Sequence, residues 1–209
     1  MGKIINFKIV FKVISRNLFI LSAALFACIG VAVCYSEDPE PFVISFLISF
    51  CTGFVFLLST WDQSEEVTVH RKDAYLTVTL SWLLISLIGC LPYLFSGAIP
   101  SFVDAFFESV SGFSTTGSSI LVDIEVLPKS ILFWRSLTHW IGGIGIIVLV
   151  IIIMPALQVG GYQLFTLESS MQEKIQPKIK AVGKRLLAIY IILTVAEIIF
   201  LLAGHMNLF

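Results

Sequence analysis

The sequence predicts an all-α integral membrane protein with about five transmembrane helices, one short re-entrant helix and a filter-like loop behind it. Three observations predict this class. Hydrophobic residues make up 57% of the 209 positions and charged residues only 13%, with a mean hydropathy of +0.98. At that balance, stretches of about twenty apolar residues read as membrane spans rather than as the core of a soluble domain. The second observation is where the cations sit. All Lys and Arg except Lys129 and Arg135 fall in residues 1–17, 61–74 and 158–185, and segments rich in Lys and Arg stay cytoplasmic, so the N-terminus is expected inside. The third is residues 107–119, an apolar run with a single acid, Glu108, that breaks at Gly112 and continues small, uncharged and hydroxyl-rich. A continuous spanning helix does not carry such a sequence. Irregular backbone at membrane depth survives only where protein covers it or where it lines a water-filled path.

Residues 1–17 read as a basic, partly amphipathic lead-in at the inner surface, and 17–35 as the first span. A lipoprotein-like box ending at Cys28 lies inside that run, but the apolar stretch continues past it, so an uncleaved helix is expected. Residues 36–41 are acidic, lack Lys and Arg and contain Pro39 and Pro41, which predicts a tight external turn. The second span, 42–60, returns inward to Trp61, an interface anchor. Residues 62–73 form a polar cytoplasmic loop in which His70 is read as solvated. The third span is 74–95, with Pro92 kinking it or marking its last turn.

An external turn at 96–100 leads to Pro100 and Ser101, a helix start, and to a short helix over 101–112 with Asp104 near its positive end. Twelve residues rise roughly 18 Å, too little for a core of about 30 Å. This is the re-entrant pore helix. The chain then climbs back out over 120–129, and 130–157 is a fourth, glycine-rich span. Gly142, Gly143 and Gly145 follow no strand and lack nucleotide-loop spacing, so they are read as small residues that let helices approach closely. Residues 158–185 form a second basic cytoplasmic loop, open to two readings: a solvated surface at anionic head groups, or a docking site for a cytosolic partner. The fifth span, 186–203, carries Glu197, an intramembrane acid that should face protein or water.

The candidate site is the loop Ser114, Thr115, Thr116, Gly117 and Ser118. Its chemistry is that of the backbone. Carbonyls turned toward one line replace the hydration shell of a monovalent cation, and glycine at 117 allows the positive φ that such turning needs. Glu108, Arg135, His139 and Glu197 are candidates for pore-associated roles; Arg135 and His139 stand one helical turn apart. Arg135 can equally snorkel to the interface. Cys28, Cys34, Cys51 and Cys90 show no metal-ligand or redox spacing, so neither a disulfide nor a metal site is expected. An intramembrane serine hydrolase with His139 as base is disfavoured because the nucleophile-elbow spacing is absent. No catalytic residue and no bound cofactor are assigned.

Residues 111–117 together with the motif from His139 to Gly145 resemble the Trk/Ktr/HKT superfamily of potassium transporters, TrkH-like members above all, which also carry two helices before the first pore loop. Members have four membrane–pore–membrane repeats around one pore. The resemblance implies two leading helices and a basic segment at 1–73, a first repeat at 74–157, a cytoplasmic loop at 158–185, and the first helix of a second, incomplete repeat at 186–209. It also implies potassium uptake across the bacterial inner membrane, with potassium as the transported substrate and Gly117 favouring it over sodium. The implied partners are the bilayer, a second copy in a homodimer and a cytosolic nucleotide-binding regulatory (TrkA-like) subunit; nucleic acid is not among them. Residues 94–102 and 201–209 share Leu, Gly and Phe in register, so the chain is expected to stop where a second pore helix would begin. The alternative reading is a truncated, non-conducting membrane fragment or scaffold of the same family.

Overall fold

The computed structural model describes residues 6–60, 71–157 and 175–204, with side chains placed for 6–60, 72–146 and 182–204. The expectations at Trp61 and His70, over 158–174 and beyond Gly204 lie outside the described residues. The chain falls into two compact units, Met1–Gly142 and Gly143–Phe209. The described residues form seven helices, here numbered α1 to α7, and no strand.

In the first unit α1 (Phe7–Cys34) begins about three turns earlier than the sequence predicts. Asn6 caps it, its side chain accepting from the Lys8 amide at 3.2 Å, and the Asn6 amide donates to Asp73 at 3.0 Å. The basic lead-in is therefore the first part of the helix itself. Lys8, Lys12 and Arg16 recur every fourth residue on its exposed side, which leaves the opposite stripe free to pack: Val10, Ile14, Leu18, Leu21, Leu25 and Cys28 are buried. Twenty-eight residues rise about 42 Å, longer than a hydrocarbon core of about 30 Å, so the helix can carry its cations beyond the apolar layer.

α2 (Glu40–Leu58) runs back along α1. Gly53 lets the two backbones meet: a Cβ there would sit 3.2 Å from that of Leu18. Ser15 donates to the Gly53 carbonyl at 2.8 Å and Ser49 to the Leu18 carbonyl at 2.9 Å. The third predicted span is two helices, α3 (Arg71–Gly89) and α4 (Leu91–Phe95), broken at Cys90. Pro92, in the first turn of α4, lacks the N–H that would continue the ladder. Next to the break, the Gly89 carbonyl accepts from the buried Trp134 indole at 3.0 Å.

α5 (Phe102–Phe113) matches the predicted twelve-residue helix within one residue, capped by Ser101. α6 (Lys129–Leu157) passes from the first unit into the second. In the second unit α7 (Ile175–Ala203) starts eleven residues before the predicted span, so the end of the predicted cytoplasmic loop is helical. Gly143 of α6 meets Tyr190 of α7 so closely that a Cβ would overlap the phenol, which explains one member of the glycine cluster. Among the described residues four stretches are long and apolar enough to cross a membrane: Phe7–Cys34, Glu40–Leu58, Lys72–Phe95 and Val182–Ala203.

Helix α4 stops at Phe95 two residues before Gly97, and α7 stops at Ala203 just before Gly204.

Candidate functional site

α5 buries one stripe, Ala105, Glu108, Ser109 and Gly112, at the spacing of a single helix face. Glycines set how tightly that face is held. A Cβ at Gly89 of α3 would lie 2.5 Å from the Phe113 ring; one at Gly112 would overlap the Thr138 hydroxyl; one at Gly142 would overlap the Phe113 carbonyl. Phe113 also meets Trp134 edge to face at 6.3 Å. Ser109 donates to the Ser86 carbonyl at 2.8 Å. The C-terminal end of α5 is thus wedged between α3 and α6.

That end closes by a paired hydrogen-bond cap. The Thr116 amide reaches back to the Ser111 carbonyl and the Thr115 amide to the Gly112 carbonyl, both at 3.0 Å. The pattern needs a left-handed residue at the fifth position, usually glycine. Here Thr115 takes it, with φ +57. A β-branched residue is strained in that region, and such strain persists only where the surroundings over-determine it. The sequence had assigned positive φ to Gly117 alone; Gly117 does adopt φ +75. A Cβ at 117 would meet nothing within 4 Å, so the dihedral, not crowding, calls for glycine there.

Residues 115–120 are exposed, and their hydrogen bonds sort the loop's oxygens. Ser111 Oγ donates to the Ser118 carbonyl at 2.6 Å. Thr115 Oγ1 donates to the Ser114 carbonyl at 2.7 Å. Ser114 and Thr116 share a hydroxyl–hydroxyl bond at 2.7 Å. Among the described residues, the carbonyls of Thr115, Thr116 and Gly117 accept no hydrogen bond.

Glu108 fastens the far end of the loop. Its carboxylate is 1% exposed and accepts from Ser119 Oγ at 3.1 and 3.0 Å, from the Ile120 amide at 3.2 Å and from Arg135 Nε at 2.8 Å. The ion pair therefore ties α5, the returning chain and α6 together. Arg135, which the sequence left between snorkelling and a pore role, turns inward to this pair and is 21% exposed.

His139 does not join that cluster through its side chain. Its Nδ1 lies 2.9 Å from the Arg135 carbonyl, and because a carbonyl only accepts, Nδ1 carries the proton. Glu197 belongs to the second unit, exposed on α7. Sequence reasoning passed over Ser111 and Ser119 as tethers; both lie within the motif, but which hydroxyl faces the chain and which faces open space depends on the cap. Among the described residues no group of three or more His, Cys, Asp or Glu could hold a metal ion.

Several apolar helices of spanning length, together with a tightly seated short helix whose end delivers an exposed, uncharged loop, define a multi-pass integral membrane protein. The chain belongs to the TrkH cation transport protein family, whose model matches residues 40–207. It is 34% identical to the Trk system potassium uptake protein TrkH of Escherichia coli K12 over 91% of this chain and 40% of that protein. It is 37% identical to an uncharacterized cation transporter of Methanocaldococcus jannaschii, over 85% of this chain and 36% of that protein. The crystal structure of the potassium transporter TrkH from Vibrio parahaemolyticus superposes with a TM-score of 0.77 at 33% identity, covering 96% of this chain and 40% of that one. The chain thus spans about two fifths of the length of the curated relatives it matches. The family and these relatives are transporters.

Proposed function

We propose that this chain contributes one quarter of the ion path of a Trk-type potassium uptake system. In this reading α5 is a re-entrant pore helix, residues 114–118 are the filter segment, and 74–157 form the first of several membrane–pore–membrane repeats. The observation that carries it is that, among the described residues, the carbonyls of Thr115, Thr116 and Gly117 accept no hydrogen bond, on exposed backbone with two positive φ angles. Oxygens left free by the protein are oxygens that can replace a cation's water. The C-terminal end of α5 lies beside them and contributes partial negative charge, so the loop itself needs no acid. The relatives' names supply potassium as the cargo.

The basic stripe of α1 supports a cytoplasmic N-terminus in a bacterial inner membrane. Family resemblance supports a homodimer and a cytosolic nucleotide-binding regulatory subunit, and a transporter rather than an enzyme. Gly117→Ser tests the filter. A serine Cβ has room but not a relaxed dihedral, so the loop should re-form and potassium-over-sodium selectivity of uptake should fall about tenfold, an effect of about 1.4 kcal/mol on relative ion binding. An unchanged ion ratio at normal expression rules out the assignment of residues 114–118.

A further inference from the structure

The turn between α1 and α2 ends in a second strained cap. The Glu37 amide reaches the Ala32 carbonyl at 2.9 Å and the Ser36 amide the Val33 carbonyl at 3.2 Å, with Ser36 left-handed at φ +56. This closure delivers Glu37 to the first turn of α6, ninety-two residues later in the chain. There one carboxylate oxygen accepts from the Lys129 amide at 2.7 Å and the other from the Ser130 amide at 2.9 Å. Both are N–H groups that a helix start leaves without an intrahelical partner, and a negative charge is favoured at that end. The Lys129 ammonium lies 4.5 Å over the Tyr35 ring, a second contact between the same turn and the same helix start.

Six residues further along α6, about 9 Å by helical rise, Arg135 grips Glu108, which holds Ser119 and Ile120 at the end of the loop. Thr138 and Gly142 of the same helix seat the end of α5. The position and rotation of α6 therefore reach the loop at two places, and its outer end is fixed from the leading helices.

We propose that Glu37 is a positioning residue for the ion path: the α1–α2 turn uses its carboxylate to set α6, and α6 sets the loop through Arg135 and Glu108. The proposal rests on the reading of residues 114–118 as the filter only for its effect on ions. Its mechanical part stands on the hydrogen bonds alone.

The test is amide hydrogen exchange on the protein in lipid nanodiscs, comparing native chain with Glu37→Ala and Glu37→Gln. The relay predicts exchange faster by about tenfold at residues 129–131 and also at 119–121, with α1, α2 and α3 unchanged. Glutamine keeps one acceptor oxygen and should give a smaller rise at both places. A rise confined to 129–131 overturns the proposal, because Glu37 is then a local cap. A uniform rise through α1 to α3 overturns it too, because Glu37 is then a general stabiliser. Ion ratios in uptake separate this from the filter reading. If Glu37→Ala loosens 119–121 while neither it nor Gly117→Ser changes the potassium-to-sodium ratio, the relay holds and the filter assignment fails.

Discussion

Two helix ends in the first unit solve the same problem with the same device and different fastenings. α1 ends through Ser36 and α5 through Thr115, each a non-glycine residue in the left-handed region, each closing paired hydrogen bonds. After α1 the chain turns at once into α2, and the residue delivered is a half-buried carboxylate that binds two backbone amides. After α5 the chain stays irregular and exposed, and what holds it is a carboxylate 1% exposed, paired with an arginine. The local geometry of a cap fixes the direction of the next residue. How firmly the following segment is held depends on burial, because a charge pair excluded from water cannot replace a lost partner with solvent.

The widest separation between the two ends should come from removing one charge at each. Arg135→Met leaves the Glu108 carboxylate buried with only Ser119 and the Ile120 amide, and an uncompensated buried charge costs about 3 kcal/mol. Glu37→Gln removes a charge that water reaches and should cost under about 1 kcal/mol. Thermal unfolding of both variants in the same nanodiscs measures the difference. Equal losses would mean that burial does not distinguish the two fastenings.

A smaller effect separates the caps themselves. Left-handed backbone costs a non-glycine residue about 1–2 kcal/mol, and the β-branch places threonine at the upper end. Glycine's extra freedom in the unfolded chain offsets about 0.5–1 kcal/mol of that. Thr115→Gly should therefore stabilise by about 1–1.5 kcal/mol and Ser36→Gly should be close to neutral. Thr115→Gly also deletes the hydroxyl that occupies the Ser114 carbonyl, so it should relax ion selectivity while raising stability. A destabilised Thr115→Gly would show that Thr115 is not strained.

Much of this arrangement was legible in the sequence. Spans could be read because apolar runs and confined cations carry their signal locally, and α5 could be placed because Ser101 caps it and Gly112 follows a run too short to cross. Gly117 could be given its dihedral because glycine announces positive φ. Thr115 could not, because threonine carries no such signal and only the hydrogen bonds back to Ser111 and Gly112 require it. Glu37 was equally hidden. Nothing in the sequence of that turn singles Glu37 out, and its partners, the amides of Lys129 and Ser130, become neighbours only once the first turn of α6 meets the α1–α2 turn. The start of α1 was misplaced for a related reason. Lys8, Lys12 and Arg16 look like an interfacial lead-in until their fourfold spacing is matched to Val10, Ile14 and Leu18 on the buried side.

The smallest effect is a dependence on pH, and it belongs to the α1 end. Burial pushes the Glu37 carboxyl up, but hydrogen bonds from the Ser130 hydroxyl and from the Ser130 and Lys129 amides, with the Lys129 charge, outweigh it and hold the group below its ordinary value of 4.5. A carboxyl depressed in the folded state adds stability that is fully present above its unfolded value. That stability is lost as pH falls from about 4.5 through the folded value. Among the described residues the charge beside it is that of Lys129. Stability should therefore hardly change between pH 7 and 5 from this source and should drop below pH 4.5, where protonated Glu37 can no longer serve two amides with a full charge. Glu37→Gln should remove that portion of the acid loss and leave the rest. Unfolding midpoints of native and Glu37→Gln protein measured at pH 7, 5 and 3.5 decide the matter. Converging midpoints at the lowest pH support the cap, and a constant gap from pH 7 to 3.5 shows that the charge of Glu37 contributes nothing to it.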